Sequence, residues 1–512
     1  MSKKVVLIIL DGWGEGKKDE SNPIHTANPE NINRLRNDFP LGFLQASGIS
    51  VGLPWGETGN SEVGHLNLGA GKIIYQYFPR IDIAINDGSF FTNPAILKSF
   101  EHAQKNNSSV NIVGMISKGN VHSAMEHLEA LTKAAKERKV NFNLHLFTDG
   151  RDSPPKSAME LLSQLMDIDS LASLSGRFYA MDRDNQWKRT EMVYNLLLGQ
   201  GQSIPKEGIK DHIQKTYDKN LNDEYVEPVL IGEKRPIKDN DSIIFFNFRE
   251  DRMKQLVSAF ITDEFSNFER KKLNNLQATT MTSYDDDFNT DVAFPPEEIK
   301  NPLGKVLSET GNSQFRIAET QKYPHITYFF NGLREEPFKN EFRVLVPSKQ
   351  NFRPAENPEM MAKEITNRLV ASIEEGVFDF TLANFANPDM IAHTGDYNAT
   401  VEAIKIVDEQ IKKIADACLN KGVTLIITSD HGNAERLFNP FTGEIETQHD
   451  PNPVPIILVD KDFERKKSEE EADMLVKTPI GVLADVAPTV LELMEISQPK
   501  EMTGKSLLKF LL

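Results

Sequence analysis

Val5-Val6-Leu7-Ile8-Ile9-Leu10 is an unbroken apolar run that leads directly into Asp11-Gly12. A short continuous run of this kind is typical of a strand that is covered on both faces, as in a parallel sheet. Similar runs recur along the chain and alternate with helical patterns, at residues 110–116, 143–147, 243–248, 378–385, 424–428 and 455–459. This alternation predicts an α/β fold with a mainly parallel sheet and helices on both faces.

Two segments, 122–138 and 397–420, carry apolar side chains at helical spacing and predict amphipathic helices. The second pattern ends before Gly422, which predicts a glycine cap at its carboxyl end. Cys418 falls on the apolar face of this helix, so we interpret it as a packing residue rather than a nucleophile. A single cysteine excludes an intramolecular disulfide and a thiolate-rich metal site, and we expect a cytoplasmic protein.

The overall charge limits the classes of partner. The 512 residues include 58 Lys and Arg against 75 Asp and Glu, a formal net charge of -17. Nucleic acids and anionic membranes are bound through an excess of basic charge, so we expect neither as a partner. No segment approaches the roughly 18 apolar residues that span a bilayer. An anionic small molecule would therefore have to be bound by a local cluster of arginines and lysines.

Two segments, 75–79 and 285–296, are candidate connectors between domains. The second reads DDDFNTDVAFPP and has the acidic, proline-containing composition of an exposed linker. Clusters of Asp, His and Ser lie outside these connectors, whereas arginines concentrate between them. We therefore predict a discontinuous metal-binding domain of residues 1–76 and 298–512, carrying an inserted second α/β domain of residues 77–297 that binds the substrate.

Polar side chains follow three of the predicted strands. They are Asp11, Asp389, His393, Asp430 and His431. In open α/β sheets, ligands bind beyond the carboxyl ends of the strands, so these side chains are expected to converge. Asp389 and His393 are four residues apart and would share one face of a helix that starts near Pro388.

His449, in Gln448-His449-Asp450, precedes the run 455–459 and would complete this set. Carboxylate and imidazole groups suit Mn²⁺ or Zn²⁺, and a pair of such ions can hold both the attacking and the leaving oxygen of a displacement. A single Asp-Gly at a strand end or a lone histidine is commonly structural. The joint occurrence of these residues is what indicates a metal site.

The stretch ETGNSEVGHLNLGAGK at residues 57–72 is rich in glycine and centres on Ser61. It is not a P-loop, because neither Gly64 nor Gly69 is followed by Lys-Ser or Lys-Thr. A serine at a helix amino terminus beside a cation can act as a nucleophile, since the cation stabilises the deprotonated oxygen. The alternative interpretation is a glycine-rich turn in which Ser61 is an ordinary N-cap.

Arginines follow strand-like runs in the middle of the chain, at Arg151, Arg183, Arg189, Arg249 and Arg252. Guanidinium groups bind carboxylate and phosphate in a bidentate manner, as a small doubly anionic substrate requires. Taken one at a time, each arginine could equally be a solvated charge or half of an exposed ion pair. His122 and Asp152 lie near these arginines and offer acid–base capacity.

Together these motifs resemble the cofactor-independent phosphoglycerate mutases of the alkaline phosphatase superfamily. The resemblance runs in order through residues 10–14 (LDGWG), 59–65 (GNSEVGH), 145–152 (HLFTDGRD) and 501–508 (EMTGKSLL). It implies an alkaline-phosphatase-like outer domain with an inserted α/β domain. It also implies interconversion of 2-phosphoglycerate and 3-phosphoglycerate in glycolysis and gluconeogenesis, through a phosphoserine and without 2,3-bisphosphoglycerate.

Carried over residue by residue, the resemblance implies a monomer with two divalent ions, most readily Mn²⁺, with Zn²⁺, Co²⁺ or Mg²⁺ as alternatives. One ion would be bound by Asp389, His393 and His449, and the other by Asp11, Ser61, Asp430 and His431. The substrate contacts would be His122, Arg151, Asp152, Arg183, Arg189, Arg249, Arg252 and Lys322. The catalytic residues would be Ser61 as nucleophile, Lys322 on the phosphoryl group, and Asp152 or His122 as general base.

Water competes with glycerate for a phosphoserine, so we also expect the inserted domain to close over the outer one. Two other interpretations stay open. A phosphatase, a sulfatase or a phosphopentomutase would share the outer domain but not the arginine-bearing segment. A metal-binding protein without catalysis would have coordinatively closed sites, whereas this set includes a hydroxyl nucleophile.

Overall fold

The chain forms two compact units, one of which is inserted into the sequence of the other. The outer unit comprises Met1–Gln76 and Glu297–Leu512, and the inserted unit comprises Tyr77–Pro296. The computed structural model describes residues 3–165, 168–349, 353–468, 471, 475 and 478–512.

The strands of this described part follow in chain order. They are β1 (Val5–Leu10), β2 (Leu41–Gln45), β3 (Val110–Ile116), β4 (Phe142–Thr148), β5 (Leu171–Gly176), β6 (Ser203–Ile204), β7 (Val229–Ile231), β8 (Ser242–Phe245), β9 (Gln277–Thr282), β10 (Asp291–Phe294), β11 (Gln314–Glu319), β12 (Glu341–Val346), β13 (Phe380–Phe385), β14 (Thr424–Thr428), β15 (Val454–Val459) and β16 (Gly481–Val482).

The α-helices of the same residues are listed in the same way. They are α1 (Pro23–Ala27), α2 (Glu30–Asp38), α3 (Ser61–Ala70), α4 (Tyr77–Asp87), α5 (Pro94–Lys105), α6 (Met125–Glu137), α7 (Ala158–Gln164), α8 (Arg177–Ala180), α9 (Trp187–Leu197), α10 (Ile209–Asp218), α11 (Lys254–Ile261), α12 (Leu303–Glu309), α13 (Ala362–Glu375), α14 (Asn387–Ala392), α15 (Tyr397–Lys421), α16 (Val486–Leu493) and α17 (Leu508–Leu511). A π-helical turn spans His325–Phe329.

The sheet of the outer unit has the strand order β12-β11-β13-β1-β14-β15-β2-β16. The strands from β12 to β14 run parallel, whereas β15 is antiparallel to both of its neighbours. The central strand β1 is buried at every residue, which explains its continuous apolar run. Its register aligns the carboxyl ends of β13, β1 and β14 at one edge of the sheet.

Helices cover both faces of this sheet, because β1 contributes alternate residues to two cores. Val6, Ile8 and Leu10 pack with apolar residues of α13 and α15. Val5, Leu7 and Ile9, on the opposite face of the strand, pack with apolar residues of α12 and α16. The predicted α/β fold with a mainly parallel sheet and helices on both faces is therefore confirmed.

The inserted unit has its own sheet, in the order β10-β9-β8-β3-β4-β5-β7-β6. The strands from β10 to β5 run parallel, and β7 is antiparallel to β5. Alternate residues of β3 again enter two separate cores. The inserted unit is thus an α/β unit with a hydrophobic core on each face of its sheet.

The long helix α15 agrees with its prediction. It ends at Lys421, and Gly422 adopts the left-handed cap with φ 66°. Cys418 is fully buried in the core beneath this helix, and burial raises the pKa of its thiol, so its packing role is confirmed. None of the helices in the described part of the chain is both long and apolar enough to cross a membrane.

Two predicted boundaries are wrong for local reasons. Helix α6 begins at Met125 rather than at residue 122, because the carbonyl of His122 accepts a hydrogen bond from the amide of Phe248 at 2.8 Å. Strand β8 ends at Phe245 rather than at residue 248. There the Asn247 side-chain oxygen accepts from the amide of Met115 at 2.9 Å, so a side chain replaces the backbone ladder.

Helix α2 is capped by a residue of another helix. Its own N-cap position is Pro29, which makes no side-chain cap. Instead, Asp408 of α15 accepts hydrogen bonds from the amides of Ile32 at 2.7 Å and Asn31 at 3.1 Å. A buried carboxylate thus satisfies two free N–H groups and complements the helix dipole.

Replacing Asp408 with Ala should lower the free energy of unfolding by about 1–3 kcal/mol, because it leaves buried amides without an acceptor. Urea denaturation followed by the fluorescence of the buried Trp13 measures this change. Asp416→Ala is the matched control, since this half-exposed carboxylate of the same helix forms surface ion pairs with Lys412 and Arg34. Equal losses in the two variants would contradict the capping role.

Candidate functional site

The strand ends of the outer unit bring three carboxylates together. Asp11 follows β1, Asp389 lies in α14 after β13, and Asp430 lies beyond β14, and all three are buried. Oxygen atoms of Asp11 and Asp389 form one group with a His431 nitrogen in which all ligand atoms lie within 4.8 Å of one another. The convergence predicted from the strand ends is therefore observed.

Ser61 is the first residue of α3, but it is not the cap. The side chain of Asn60 accepts from the amide of Val63 at 2.9 Å and caps the helix, so the interpretation of Ser61 as an ordinary N-cap is wrong. The Ser61 hydroxyl is instead 3.1 Å from Asp11 Oδ1 and 2.9 Å from His431 Nε2. The helix cap thus leaves the serine oxygen available to the carboxylate cluster.

Asp389, His393 and His449 form a second group of potential ligands. The Nε2 atoms of His393 and His449 are 3.2 and 3.4 Å from Asp389 Oδ1 and 3.0 Å from each other. Each ring has its Nδ1 next to a backbone carbonyl, that of Thr447 at 2.8 Å and that of Gly59 at 2.7 Å. In neutral rings these contacts place the protons on Nδ1, so both Nε2 lone pairs face the carboxylate.

Two lone pairs and a carboxylate oxygen at such distances repel one another unless a positive charge lies among them, so this donor set fits a divalent cation. Hydrogen bonding to Asp389 raises the pKa of His393, which means that protons compete with a cation for this nitrogen. The other cluster fits a cation as well. Asp430 Oδ2 is buried and has no hydrogen-bond partner among the residues that the structure describes.

Lys322 lies between the two groups. Its ammonium donates to Asp11 Oδ1 at 2.6 Å, to Asp389 Oδ2 at 2.7 Å and to the Ser61 hydroxyl at 2.8 Å. Burial lowers the pKa of Lys322, but the carboxylates of Asp11 and Asp389 outweigh burial and raise it above its usual value. The lysine therefore stays cationic beside the serine oxygen.

Two further polar residues at this cluster were not predicted from the sequence. His65 lies one helical turn beyond Ser61, and Asn384 lies near the end of β13; both are fully buried. His65 could have been found from its spacing, because residues four apart in a helix lie on the same face, here the face of Ser61. For Asn384 the signal is an amide within an otherwise apolar strand run.

In the inserted unit, Asp251 organises two of the predicted arginines. Its carboxylate is 2.6 Å from Arg183 Nη1 and 3.3 Å from Arg249 Nε. Arg252 donates to the carbonyl of Met181 at 3.4 Å, and burial together with the nearby Arg177 and Arg183 lowers its pKa. The cationic groups in this region are therefore only partly neutralised, which favours an anionic ligand.

The remaining predicted arginines differ in their surroundings. Arg189 donates to Asp182 at 3.0 Å and lies over the ring of Phe178, with 3.8 Å from guanidinium carbon to ring centroid. Arg151 has an exposed side chain. The sequence analysis missed Arg177, a buried arginine whose guanidinium donates to Asp149 at 2.6 Å and to Asp152.

His122 is buried close to this arginine-rich region. Its Nε2 is 3.8 Å from Asp152 Oδ2, and its Nδ1 is 3.7 Å from Asp251 Oδ1. Burial, together with the nearby Arg177 guanidinium, lowers the pKa of His122 to about 4. The imidazole is therefore neutral at physiological pH, where a ring nitrogen can accept a hydrogen bond but the ring carries no positive charge.

Comparisons with known proteins agree with this chemistry. The sequence profile of the Metalloenzyme superfamily matches residues 3–498, so fold and site define an α/β metalloenzyme. The 2,3-bisphosphoglycerate-independent phosphoglycerate mutase of Clostridium botulinum is 44% identical, and the match covers 99% of this chain and 100% of that protein. The mutase of the same name from Francisella tularensis is 42% identical, with 100% of both chains covered.

A solved structure of Leishmania mexicana phosphoglycerate mutase at low cobalt concentration superimposes with a TM-score of 0.53 and 27% identity, covering 99% of this chain and 97% of the other. This chain therefore belongs to the family of 2,3-bisphosphoglycerate-independent phosphoglycerate mutases.

The lowered pKa of His122 predicts a pH dependence of stability. Above pH 6.5 the ring is neutral in both states, but as pH falls from 6.5 towards 4 only the unfolded chain binds the proton. The free energy of unfolding should therefore fall over this range, by roughly 2–3 kcal/mol from this residue alone. Urea unfolding of the wild type and of His122→Asn at several pH values measures this contribution.

The His122→Asn variant should lose less stability on acidification than the wild type. His102→Gln, which changes a partly exposed histidine of the same unit, is the control and should keep the wild-type slope. If the free energy of unfolding of His122→Asn falls with pH as steeply as that of the wild type, the imidazole is not held neutral in the folded state.

Proposed function

We propose that this chain interconverts 2-phosphoglycerate and 3-phosphoglycerate without 2,3-bisphosphoglycerate, through a phosphoserine at Ser61. The observation that carries this proposal is the environment of the Ser61 hydroxyl, which lies 2.8 Å from the Lys322 ammonium and 2.9 Å from His431 Nε2. A serine oxygen that faces a cation and an imidazole is placed for attack on a phosphoryl group. The family membership supports the same reaction.

The outer unit supplies the ligands for two divalent ions. Asp389, His393 and His449 would hold one ion, and Asp11, Ser61, Asp430 and His431 the other. When bound, such ions favour deprotonation of the serine and offset the charge on the phosphoryl oxygens. We propose Mn²⁺ as the ion, with Zn²⁺, Co²⁺ or Mg²⁺ as alternatives.

In the first half of the reaction, Ser61 Oγ attacks the phosphorus atom and the bond from phosphorus to the substrate oxygen breaks. The Lys322 ammonium lies 2.8 Å from Ser61 Oγ, where it offsets charge on the transferred group. The Ser61 hydroxyl proton is lost in this attack, and the released glycerate oxygen takes up a proton in exchange. The other glycerate hydroxyl then gives its proton to a base and attacks the phosphoserine, and Ser61 Oγ leaves the phosphorus and regains a proton.

The inserted unit would hold the glycerate during this exchange. The carboxylate of the glycerate would be bound by the arginine side chains at 151, 183, 189, 249 and 252. Asp152 would be the base, with Arg177 fixing its orientation, and the neutral His122 would contact the substrate and position it. We propose bounds of residues 77–297 for this substrate-binding unit, and a monomeric cytoplasmic enzyme.

Ser61→Ala should abolish mutase activity, by on the order of 10⁴-fold or more, because it removes the oxygen that takes the phosphoryl group. The assay uses 3-phosphoglycerate without added bisphosphoglycerate, and it also separates a mutase from a phosphatase.

Metal content should stay near that of the wild type, since Asp11, Asp430 and His431 remain. Ser372→Ala, which alters a hydroxyl that donates to the carbonyl of Leu369 in α13, should retain activity. Appreciable turnover by Ser61→Ala would contradict the phosphoserine route.

Removal of divalent ions should inactivate the enzyme reversibly. Dialysis against a chelator should abolish turnover while circular dichroism stays close to that of the untreated protein, and added Mn²⁺ should restore the rate. Full activity in excess chelator would show that the carboxylate and imidazole clusters serve structure alone.

A further inference from the structure

His65 and Asn384 lie behind the cluster of Ser61, Asp11 and Asp430, and both are fully buried. We propose that these two residues form a hydrogen-bonded pair that positions three of the four groups assigned to one divalent ion, without binding the ion themselves. This inference rests on the proposed function, which makes Asp11, Ser61 and Asp430 ligands.

The orientation of the Asn384 amide follows from its neighbours. Its Nδ2 atom is 2.7 Å from Asp11 Oδ2 and 3.0 Å from His65 Nε2. A carboxylate oxygen only accepts hydrogen bonds, so the amide must present its NH₂ group to Asp11. The second hydrogen of the same NH₂ group then faces His65, which makes His65 Nε2 an acceptor.

This contact fixes the tautomer of His65. Because Nε2 accepts, the ring proton is on Nδ1, which lies 2.8 Å from the carbonyl oxygen of Ser61 and 3.2 Å from Asp430 Oδ2. This N–H group donates to the carbonyl of the serine, and Asp430 Oδ2 lies beside the same nitrogen without accepting a hydrogen bond from it. Asn384 holds Asp11, and through His65 it also fixes the ring edge that faces Ser61 and Asp430.

The arrangement also argues against His65 as a ligand, although its nitrogen belongs to a group with oxygens of Asp11 and Asp430 within 4.8 Å. Its Nδ1 carries a proton, and its Nε2 lone pair is used by Asn384. A histidine without a free lone pair cannot bind a cation, so its role is to orient the residues that do.

Two further observations indicate that this part of the structure is built around the ligands. The Asn384 carbonyl oxygen is buried without a hydrogen-bond partner in the described residues, so the contacts of this amide are those of its NH₂ group. Gly64 precedes His65, and a Cβ there would lie 2.6 Å from the Asp430 carbonyl oxygen. Glycine at position 64 therefore allows helix α3 to pack closely against Asp430.

The test is a Mn²⁺ titration of metal-free protein by calorimetry, with wild type, Asn384→Leu and His65→Leu. The wild type should bind two ions. Each variant should bind one ion as the wild type does and the other about 10- to 100-fold more weakly, as expected when a residue that orients a ligand is lost. His65→Asn, whose amide nitrogen can replace Nδ1, should fall between His65→Leu and the wild type.

His145→Leu in the inserted unit is the matched control. His145 is also fully buried, with Nδ1 2.8 Å from Ser173 Oγ and Nε2 3.3 Å from Asn111 Oδ1. Losing this histidine and its buried polar contacts should lower the melting temperature but leave both Mn²⁺ affinities unchanged. Thermal melts of all the metal-free variants separate a loss of fold from a loss of ligand position.

The outcomes are distinct. If the wild type binds no Mn²⁺, the proposed function fails. If the wild type binds two ions and the Asn384 and His65 variants bind both with unchanged affinity, the positioning role is overturned while the proposed function stands. The positioning role is also overturned if the affinities for both ions fall in proportion to the melting temperature, and if His145→Leu shows the same fall. His65 and Asn384 would then contribute to general stability.

Discussion

The outer unit is organised by the repulsion among its buried carboxylates. A ligand oxygen of Asp11 lies within 4.8 Å of ligand atoms of both Asp389 and Asp430 in the groups that the structure assembles. Two unit charges at such a distance repel by roughly 3–4 kcal/mol even at the effective dielectric of a protein surface, and burial strengthens the repulsion. One lysine, Lys322, does not balance three carboxylates, so further positive charge among them stabilises the cluster.

A parallel sheet is what makes such a cluster achievable. Because β13, β1 and β14 run in the same direction and in register, their carboxyl ends deliver side chains to one point from segments far apart in sequence. The close approach requires glycine at residue 12, where φ is 71° and a Cβ would lie 2.8 Å from the Cβ of Asp389. The Asp-Gly pair after β1 is therefore a steric requirement as well as a source of a ligand.

The inserted unit contains a local cluster of arginines, although the chain as a whole carries a net charge of -17. Two of its arginines, Arg183 and Arg249, share the carboxylate of Asp251, whereas Arg177 faces two carboxylates, those of Asp149 and Asp152. The shared carboxylate fixes the direction of Arg183 and Arg249 while leaving part of their charge available for an anion.

The sequence predicted most of the strands and the residues that follow them, because a buried strand has a plain apolar pattern and its end is marked by a change to polar residues. It failed where a side chain competes with the backbone, as Asn247 does beyond β8. It also failed for Lys322, which lies in a turn shortly before the π-helical turn His325–Phe329. No pattern of the sequence predicts this segment, so only the family resemblance placed Lys322 at the site.

Asn384 shows why such residues are hard to find from sequence alone. Within β13 it occupies one position of an apolar run, and nothing in that run says which of its neighbours in space will be charged. The register of β1 and β13 pairs it with Ile9, two residues before Asp11, so its amide reaches the carboxylate only because these strands are parallel neighbours. A polar residue near the end of a covered strand, adjacent to a strand that ends in a ligand, therefore becomes informative once the strand order is known.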